Sequence, residues 1–142
     1  ILRFFNVYGR NSNAVVGKFI GQFLQKKPIT IYGTGKQKRD FIFIDDLNRA
    51  IFKCIRSNYS NNKIYNVGSG KSISINKLKK LVSRSSKTIF LKKRVDDIEK
   101  STSNIKKISR ELKWFPQTAF REGLDKILKT DGNRLSKINL KK

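Results

Sequence analysis

The chain has no histidine, no methionine and a single cysteine among its 142 residues. Without histidine there is no Ser-His-Asp triad, no histidine-paired cysteine nucleophile and no two-histidine zinc helix. One thiol, Cys54, excludes an internal disulfide and a multi-thiolate metal site. Set in an apolar helical pattern, Cys54 reads as a small core residue. No run of 18 apolar residues occurs, so no segment reads as a membrane-spanning helix, and no charged-then-apolar start suggests secretion. A soluble, cytoplasmic protein is the expectation. The missing methionine, with a start in the strand-like run Ile1-Leu-Arg-Phe-Phe5, reads as the C-terminal part of a longer protein. The length suffices for one modest core.

Acidic residues are scarce. Ten Asp and Glu face 33 Lys and Arg, giving a formal net charge of +23 and a pI near 10.5. Clustered cations favour nucleic acid through counterion release. Here they are dispersed in short groups such as Lys26-Lys27, Lys79-Lys80 and Lys92-Lys93-Arg94, amid many Asn, Ser and Ile. That is a chain-wide bias. No zinc finger, basic zipper or aromatic RNA-binding strand accompanies it, so no specific nucleic-acid partner is expected; a basic nucleic-acid-binding module is the alternative from another class.

What is there is an alternation of short apolar runs and amphipathic helices, the pattern of an α/β protein. Ile1 to Val7 reads as a buried strand ending in Tyr8-Gly9. Between Asn13 and Lys27, Val15, Val16, Phe19, Ile20, Phe23 and Leu24 keep to one helical face, and Pro28 ends the helix. Ile29 to Tyr32 and Phe41 to Ile44 read as strands, with a turn at Gly33-Thr34-Gly35. A helix follows with Asp45 or Asp46 at its start, where carboxylates complement the dipole and can cap free amides. Its expected core face is Leu47, Ala50, Ile51, Cys54 and Ile55. After a polar loop at Asn58 to Lys63 come a strand at Ile64 to Val67, a turn at Gly68-Ser69-Gly70 and a helix capped by Ser74 with Ile75, Leu78, Leu81 and Val82 inward. Thr88 to Leu91 reads as a fifth strand. Two helices complete the pattern, one through Ile105, Ile108 and Leu112, and one capped by Thr118 with Phe120, Leu124, Ile127 and Leu128. Trp114 and Phe115, between them, read as packing residues. The expected division is a folded unit over residues 1–130 and a basic, mobile tail over 131–142.

Three motifs invite chemistry and fail. Gly68-Ser69-Gly70-Lys71-Ser72 resembles the end of a P-loop, but the glycine needed five residues before Gly70 is Tyr65, so the backbone cannot wrap phosphates. The dinucleotide fingerprint G-x-G-x-x-G is absent. Tyr32 to Lys36 and Tyr59 to Lys63 have the Tyr-x-x-x-Lys spacing, but the pairing requires a helix and neither segment reads as one.

A set of short blocks in order carries more. They are Leu2-Arg-Phe-Phe-Asn-Val-Tyr-Gly9, Pro28-Ile-Thr-Ile-Tyr-Gly33, Gly35-Lys-Gln-Lys-Arg-Asp-Phe-Ile-Phe-Ile-Asp-Asp-Leu47, Tyr65-Asn-Val-Gly-Ser-Gly70 and Arg94-Val-Asp-Asp-Ile98. Ile108-Ser-Arg-Glu-Leu-Lys-Trp114 and Phe120-Arg-Glu-Gly-Leu124 follow. Over residues 1 to 128 the chain resembles the C-terminal half of the NAD-dependent nucleotide-sugar epimerase/dehydratase family, the extended short-chain dehydrogenases, with UDP-sugar 4-epimerases nearest.

The resemblance implies the last strands of a Rossmann-type NAD(P)-binding sheet plus a small α/β substrate-binding domain, with the NAD-binding half absent. It implies an enzyme that uses NAD to oxidise and re-reduce sugar C4 with a catalytic Tyr outside this chain, the fragment alone being inactive. A 4,6-dehydratase, decarboxylase or reductase of the same family is the alternative. By resemblance Phe5 lies beside the nicotinamide end of NAD, and Asn6 donates its side-chain amide to the diphosphate or sugar. Arg39 and Arg94 take the phosphates, Asp97 the ribose hydroxyls, Thr30 and Tyr32 flank the base, and Val15 lines the sugar cavity. A planar guanidinium matches paired phosphate oxygens, and two phosphates call for more than one cation. The partner implied is a UDP- or dTDP-sugar, and the full-length enzyme is expected to be a homodimer. Two departures stand out: Arg10-Asn-Ser-Asn13 replaces a longer Pro-containing loop, and Arg94-Val95-Asp96-Asp97 lacks the family's Pro and Gly, with Asp96 adding negative charge near the diphosphate.

Overall fold

The computed structural model describes the backbone of residues 1–139 and the side chains of residues 1–130. Strands and helices alternate as expected of an α/β chain: β1 (Leu2–Phe4), β2 (Asn6–Tyr8), α1 (Val15–Leu24), β3 (Ile29–Tyr32), β4 (Lys38–Phe43), α2 (Ile44–Ile55), β5 (Tyr65–Val67), β6 (Ser72–Ser74), α3 (Ile75–Val82), β7 (Thr88–Leu91), α4 (Lys106–Leu112) and α5 (Phe120–Asn139).

The expected first strand is two. β1 pairs in parallel with β5, Leu2 opposite Tyr65, while β2 pairs in parallel with β4, Asn6 opposite Phe41. Phe5 marks the exchange of partner, its amide donating to the Val67 carbonyl at 3.0 Å. The burial expected of this run is also corrected: Ile1 and Phe4 are exposed, because nothing among the described residues covers that face. β4 changes partner too. Lys38, Arg39 and Asp40 pair antiparallel with β6, and Phe41 to Phe43 pair in parallel with β2. β6 is the strand that periodicity missed, since Ser-Ile-Ser is too short to show a period. The third pair is β3 with β7, parallel throughout, Ile29 opposite Thr88.

Alternation along β4 sends side chains into two cores. Phe41 and Phe43 join Tyr8, Val16, Phe19, Ile20, Leu78, Val82, Leu124 and Ile127 in one cluster. Ile42 joins Leu47, Ala50, Tyr65, Val67, Ile108, Leu112 and Trp114 in the other. In the first, the Tyr8 hydroxyl donates to the Phe120 carbonyl, and a Cβ on Gly123 would sit 2.2 Å from that hydroxyl oxygen, so only glycine lets α5 lie on the ring.

α2 begins at Ile44, with Asp45 and Asp46 in its first turn but neither capping it. Asp46 is buried and faces another segment: its carboxylate accepts from the amides of Gln117 and Thr118 at 2.9 and 3.0 Å and pairs with Arg49, while its carbonyl accepts from the Trp114 indole N–H. Of the expected core face, Leu47 and Ala50 are buried, Ile51 and Cys54 pack against the second cluster, and Ile55 is exposed at the edge of the stripe. Trp114 is buried and Phe115 exposed, so only the first of the two packs as expected. Thr118 lies two residues ahead of α5, its amide committed to Asp46. Ser74 caps α3 as expected, accepting from the Lys77 amide at 3.1 Å. The backbone of residues 131–139 continues α5, and the part of the expected mobile tail at 140–142 lies outside the described residues.

Candidate functional site

One face of α1, partly shared with the core, forms a wall of a cleft of about 620 Å³. Val15, Lys18, Phe19 and Gln22 recur at the spacing that keeps side chains on one helical face. Thr30, Ile31 and Tyr32 come from β3, Asn6 from β2, Arg39 from β4, and Leu91, Arg94 and Asp97 from β7 and the segment after it; Gln37 and Ile75 complete the rim. The fold thus gathers Asn6, Val15, Thr30, Tyr32, Arg39, Arg94 and Asp97 into one cavity. Phe5, expected at the cofactor, does not line it; it sits half-buried where β1 gives way to β2.

Each polar group in the cleft is held by an identifiable partner or left open. The Arg39 guanidinium donates to the Lys38 carbonyl at 2.8 Å and pairs through its other nitrogen with the Asp97 carboxylate. Both side chains are largely covered, 15% and 16% exposed. The second Asp97 oxygen accepts from Gln37 Nε2 at 3.0 Å, and the same amide nitrogen donates to the Tyr32 carbonyl at 2.8 Å. Arg39 is therefore not a free cation at a strand edge but half of an ion pair. The Arg94 guanidinium lies 4.2 Å from the Tyr32 ring centroid, a cation–π contact that covers one ring face. Asn6 spends one amide hydrogen on the Asp40 carbonyl at 2.8 Å. Thr30 is clamped by Gln22, whose side chain accepts from the Thr30 amide at 3.2 Å and donates to its hydroxyl at 3.0 Å. Asp96 is exposed and does not line the cleft, although its neighbour Asp97 does.

The altered loop presses on α1. A Cβ on Gly17 would stand 1.7 Å from the Ser12 carbonyl oxygen, so glycine is required for the chain to enter the helix this way and bring Val15 to the cleft. Sequence reasoning missed Lys18, Gln22, Gln37 and Leu91. Lys18 and Gln22 carried a readable signal, their shared helical face with Val15, but which face looks into a cavity is decided only by packing.

The loop that resembled a P-loop is closed on a group of the protein itself. Asp40, fully buried, accepts from the amide and hydroxyl of Ser69 at 2.8 and 2.6 Å, from the Gly70 amide at 3.1 Å and from the Ser103 amide at 2.9 Å, with the Ser103 hydroxyl as a fifth donor. The anion these amides hold is a carboxylate of the chain. Tyr32 and Lys36 fall in a strand and turn, Tyr59 and Lys63 in a short 3₁₀ turn and the loop after it, so neither pair has helix geometry. Among the described residues no group of His, Cys, Asp and Glu could hold a metal ion, and no helix is long and apolar enough to cross a membrane.

The cleft presents three cations, Lys18, Arg39 and Arg94, against the single carboxylate Asp97, beside hydroxyl, amide and aromatic groups. It holds no nucleophile paired with a base. A lining of this kind suits an anionic ligand with polar and planar parts.

Known proteins resemble the chain in sequence and in fold. The model of the NAD dependent epimerase/dehydratase family matches residues 1–68. UDP-glucuronate 4-epimerase of Thermodesulfobacterium geofontis is 32% identical over 135 residues, 90% of this chain and 41% of that protein. UDP-glucuronic acid decarboxylase 1 of Arabidopsis thaliana is 29% identical over 143 residues, 95% of this chain and 32% of that protein. The crystal structure of UDP-glucuronic acid 4-epimerase from Bacillus cereus, in complex with UDP-glucuronic acid and NAD, superimposes with a TM-score of 0.84 at 30% identity, covering 95% of this chain and 45% of that one. The chain spans less than half the length of each of these relatives.

Proposed function

Because the chain belongs to the NAD-dependent epimerase/dehydratase family, we propose that it forms the nucleotide-sugar-binding part of an NAD-dependent UDP-sugar 4-epimerase. The observation that carries this reading is the cleft, where residues spread from Asn6 to Asp97 converge. Arg39 and Arg94 supply cations for a diphosphate, Asp97 an acceptor for ribose hydroxyls, and Thr30 with the open side of Tyr32 a seat for the base. Val15 and Asn6 mark the sugar end. A dTDP-sugar fits the same description. A decarboxylase is the second reading, favoured by the Arabidopsis relative; dehydratase and reductase chemistry share the scaffold.

NAD is the family's redox cofactor, but the residues described here do not make a site for it. The glycine-rich loop is filled by Asp40, and Phe5 is the single residue that the resemblance sets beside the nicotinamide. No catalytic step is therefore assigned to this chain, whose part is to bind and orient the substrate. A homodimeric, cytoplasmic full-length enzyme, with a folded unit over 1–130, belongs to the same proposal and is supported by the resemblance alone.

Ligand-linked stability tests the reading. Millimolar UDP-glucose or UDP-glucuronate should raise the melting temperature of the full-length protein, since ligand at a hundredfold excess over Kd contributes about 2.7 kcal/mol. Arg39→Ala should raise KM for the sugar nucleotide about tenfold or more. An unshifted melting curve would sink the proposal, and an unchanged KM would remove Arg39 from the site.

A further inference from the structure

We infer that Lys18 is a third diphosphate-binding cation of the cleft, acting from the α1 wall while Arg39 and Arg94 act from β4 and the segment after β7. The inference rests on the nucleotide-sugar reading above and adds a residue that the sequence did not single out. α1 serves as a ruler for the site. At a rise of about 1.5 Å per residue, Lys18 stands about 6 Å from Gln22 and about 4.5 Å from Val15 along the axis. Gln22 is fastened to Thr30 by two hydrogen bonds, which ties that level to the base end. On the nucleotide-sugar reading Val15 marks the sugar end. Lys18 lies between them, at the level where a nucleoside diphosphate sugar carries its two phosphates.

The other two cations are engaged. Arg39 is paired with Asp97 and bonded to the Lys38 carbonyl, and Arg94 is laid on the Tyr32 ring. Lys18 is exposed and lines the cleft, and its ammonium has no hydrogen bond or ion pair among the described residues. Asp97 offsets the charge of one cation, leaving Lys18 and Arg94 to meet the two negative charges of a diphosphate. An ammonium on a flexible stem suits that place, because it follows phosphate oxygens as a point charge without a fixed fork.

Calorimetric titration of the full-length protein with UDP, UDP-glucose and UDP-glucuronate, with uridine as a competitor, tests this. In Lys18→Met the Kd for UDP and for both UDP-sugars should rise about tenfold, the effect of uridine should stay the same, and Lys18→Arg should restore most of the loss. The salt dependence of UDP binding should also be shallower in Lys18→Met than in wild type. An unchanged Kd for UDP in Lys18→Met, with wild type binding, overturns the assignment and leaves the nucleotide-sugar reading standing. A loss confined to UDP-glucuronate overturns it as well, by moving Lys18 to the sugar end. Failure of wild type to bind UDP or either UDP-sugar overturns the nucleotide-sugar reading and the role of Lys18 with it.

Discussion

Asp40 is the residue on which most of the local order converges. Its carboxylate is the common acceptor for Ser69, Gly70 and Ser103, and it sits where β4 passes from β6 to β2. A buried carboxylate is tolerated when donors surround it, and removing it leaves the buried Ser103 amide without its acceptor and frees the turn at Ser69 and Gly70. Asp40→Ala should therefore cost about 3–5 kcal/mol in urea unfolding, far above an ordinary surface change. A loss under about 1 kcal/mol would mean the donors find other partners. The sequence hid this role. Asp40 reads as a polar neighbour of Arg39 before an apolar run, and Gly68-Ser69-Gly70 reads as a turn. That one fills the other depends on a contact spanning 29 residues. Arg39 shows the same limit: its place in the cleft was legible from the resemblance, whereas its pairing with Asp97 was not, because the partner lies 58 residues away.

At the scale of elements, β5 and α4 are joined by a small charge network. Glu111 accepts from the Tyr65 hydroxyl at 2.8 Å and from Lys63 at 3.0 Å. The Lys63 and Tyr65 bonds hold the Glu111 carboxyl down to about 2, while burial and the Glu111 bond push the Tyr65 hydroxyl up to about 12. The folded form thus binds the Glu111 proton more weakly, and the Tyr65 proton more tightly, than the unfolded chain. The stabilisation is present between the ordinary values of 4.5 and 10, fades as pH falls from 4.5 through about 2, and fades again as pH rises from 10 through about 12. Glu111→Gln should lower the urea midpoint at pH 7, and its gap to wild type should narrow steadily toward pH 2; a gap independent of pH would assign the effect to packing. Elements of this kind were legible where they carry a period. The stripe of α1 and the Ser74 cap of α3 follow from local sequence, as does the strand at Thr88 to Leu91. β6 and the exchanges of partner at Phe5 and within β4 follow from pairing over long distances, which no local pattern encodes.

For the molecule as a whole, 33 basic residues against 10 acidic ones set the electrostatic balance. Among the described residues the ion pairs are few, and Arg121–Asp125 and Lys126–Glu122 are exposed on both sides and weak, so self-repulsion of the compact state dominates. Raising NaCl from about 20 mM to about 500 mM, which shortens the screening length several-fold, should raise the melting temperature by several degrees. A fall would show that the ion pairs outweigh the repulsion. The α/β class and seven of the fifteen residues that line the cleft were legible from the sequence, but the arrangement of two cores around β4 and β2 was not.

The lone indole gives that arrangement a spectroscopic consequence. Trp114 is the only tryptophan, and it is buried in the cluster with Leu47, Ala50 and Leu112, its N–H on the Asp46 carbonyl. Its fluorescence reports the loosening of that cluster alone and is blind to the cluster beneath the cleft, whereas far-ultraviolet circular dichroism sees the helices of both. Because β4 contributes side chains to each, the two signals should change at the same denaturant concentration, and any separation between them would measure how far one half of the core can melt while the other holds.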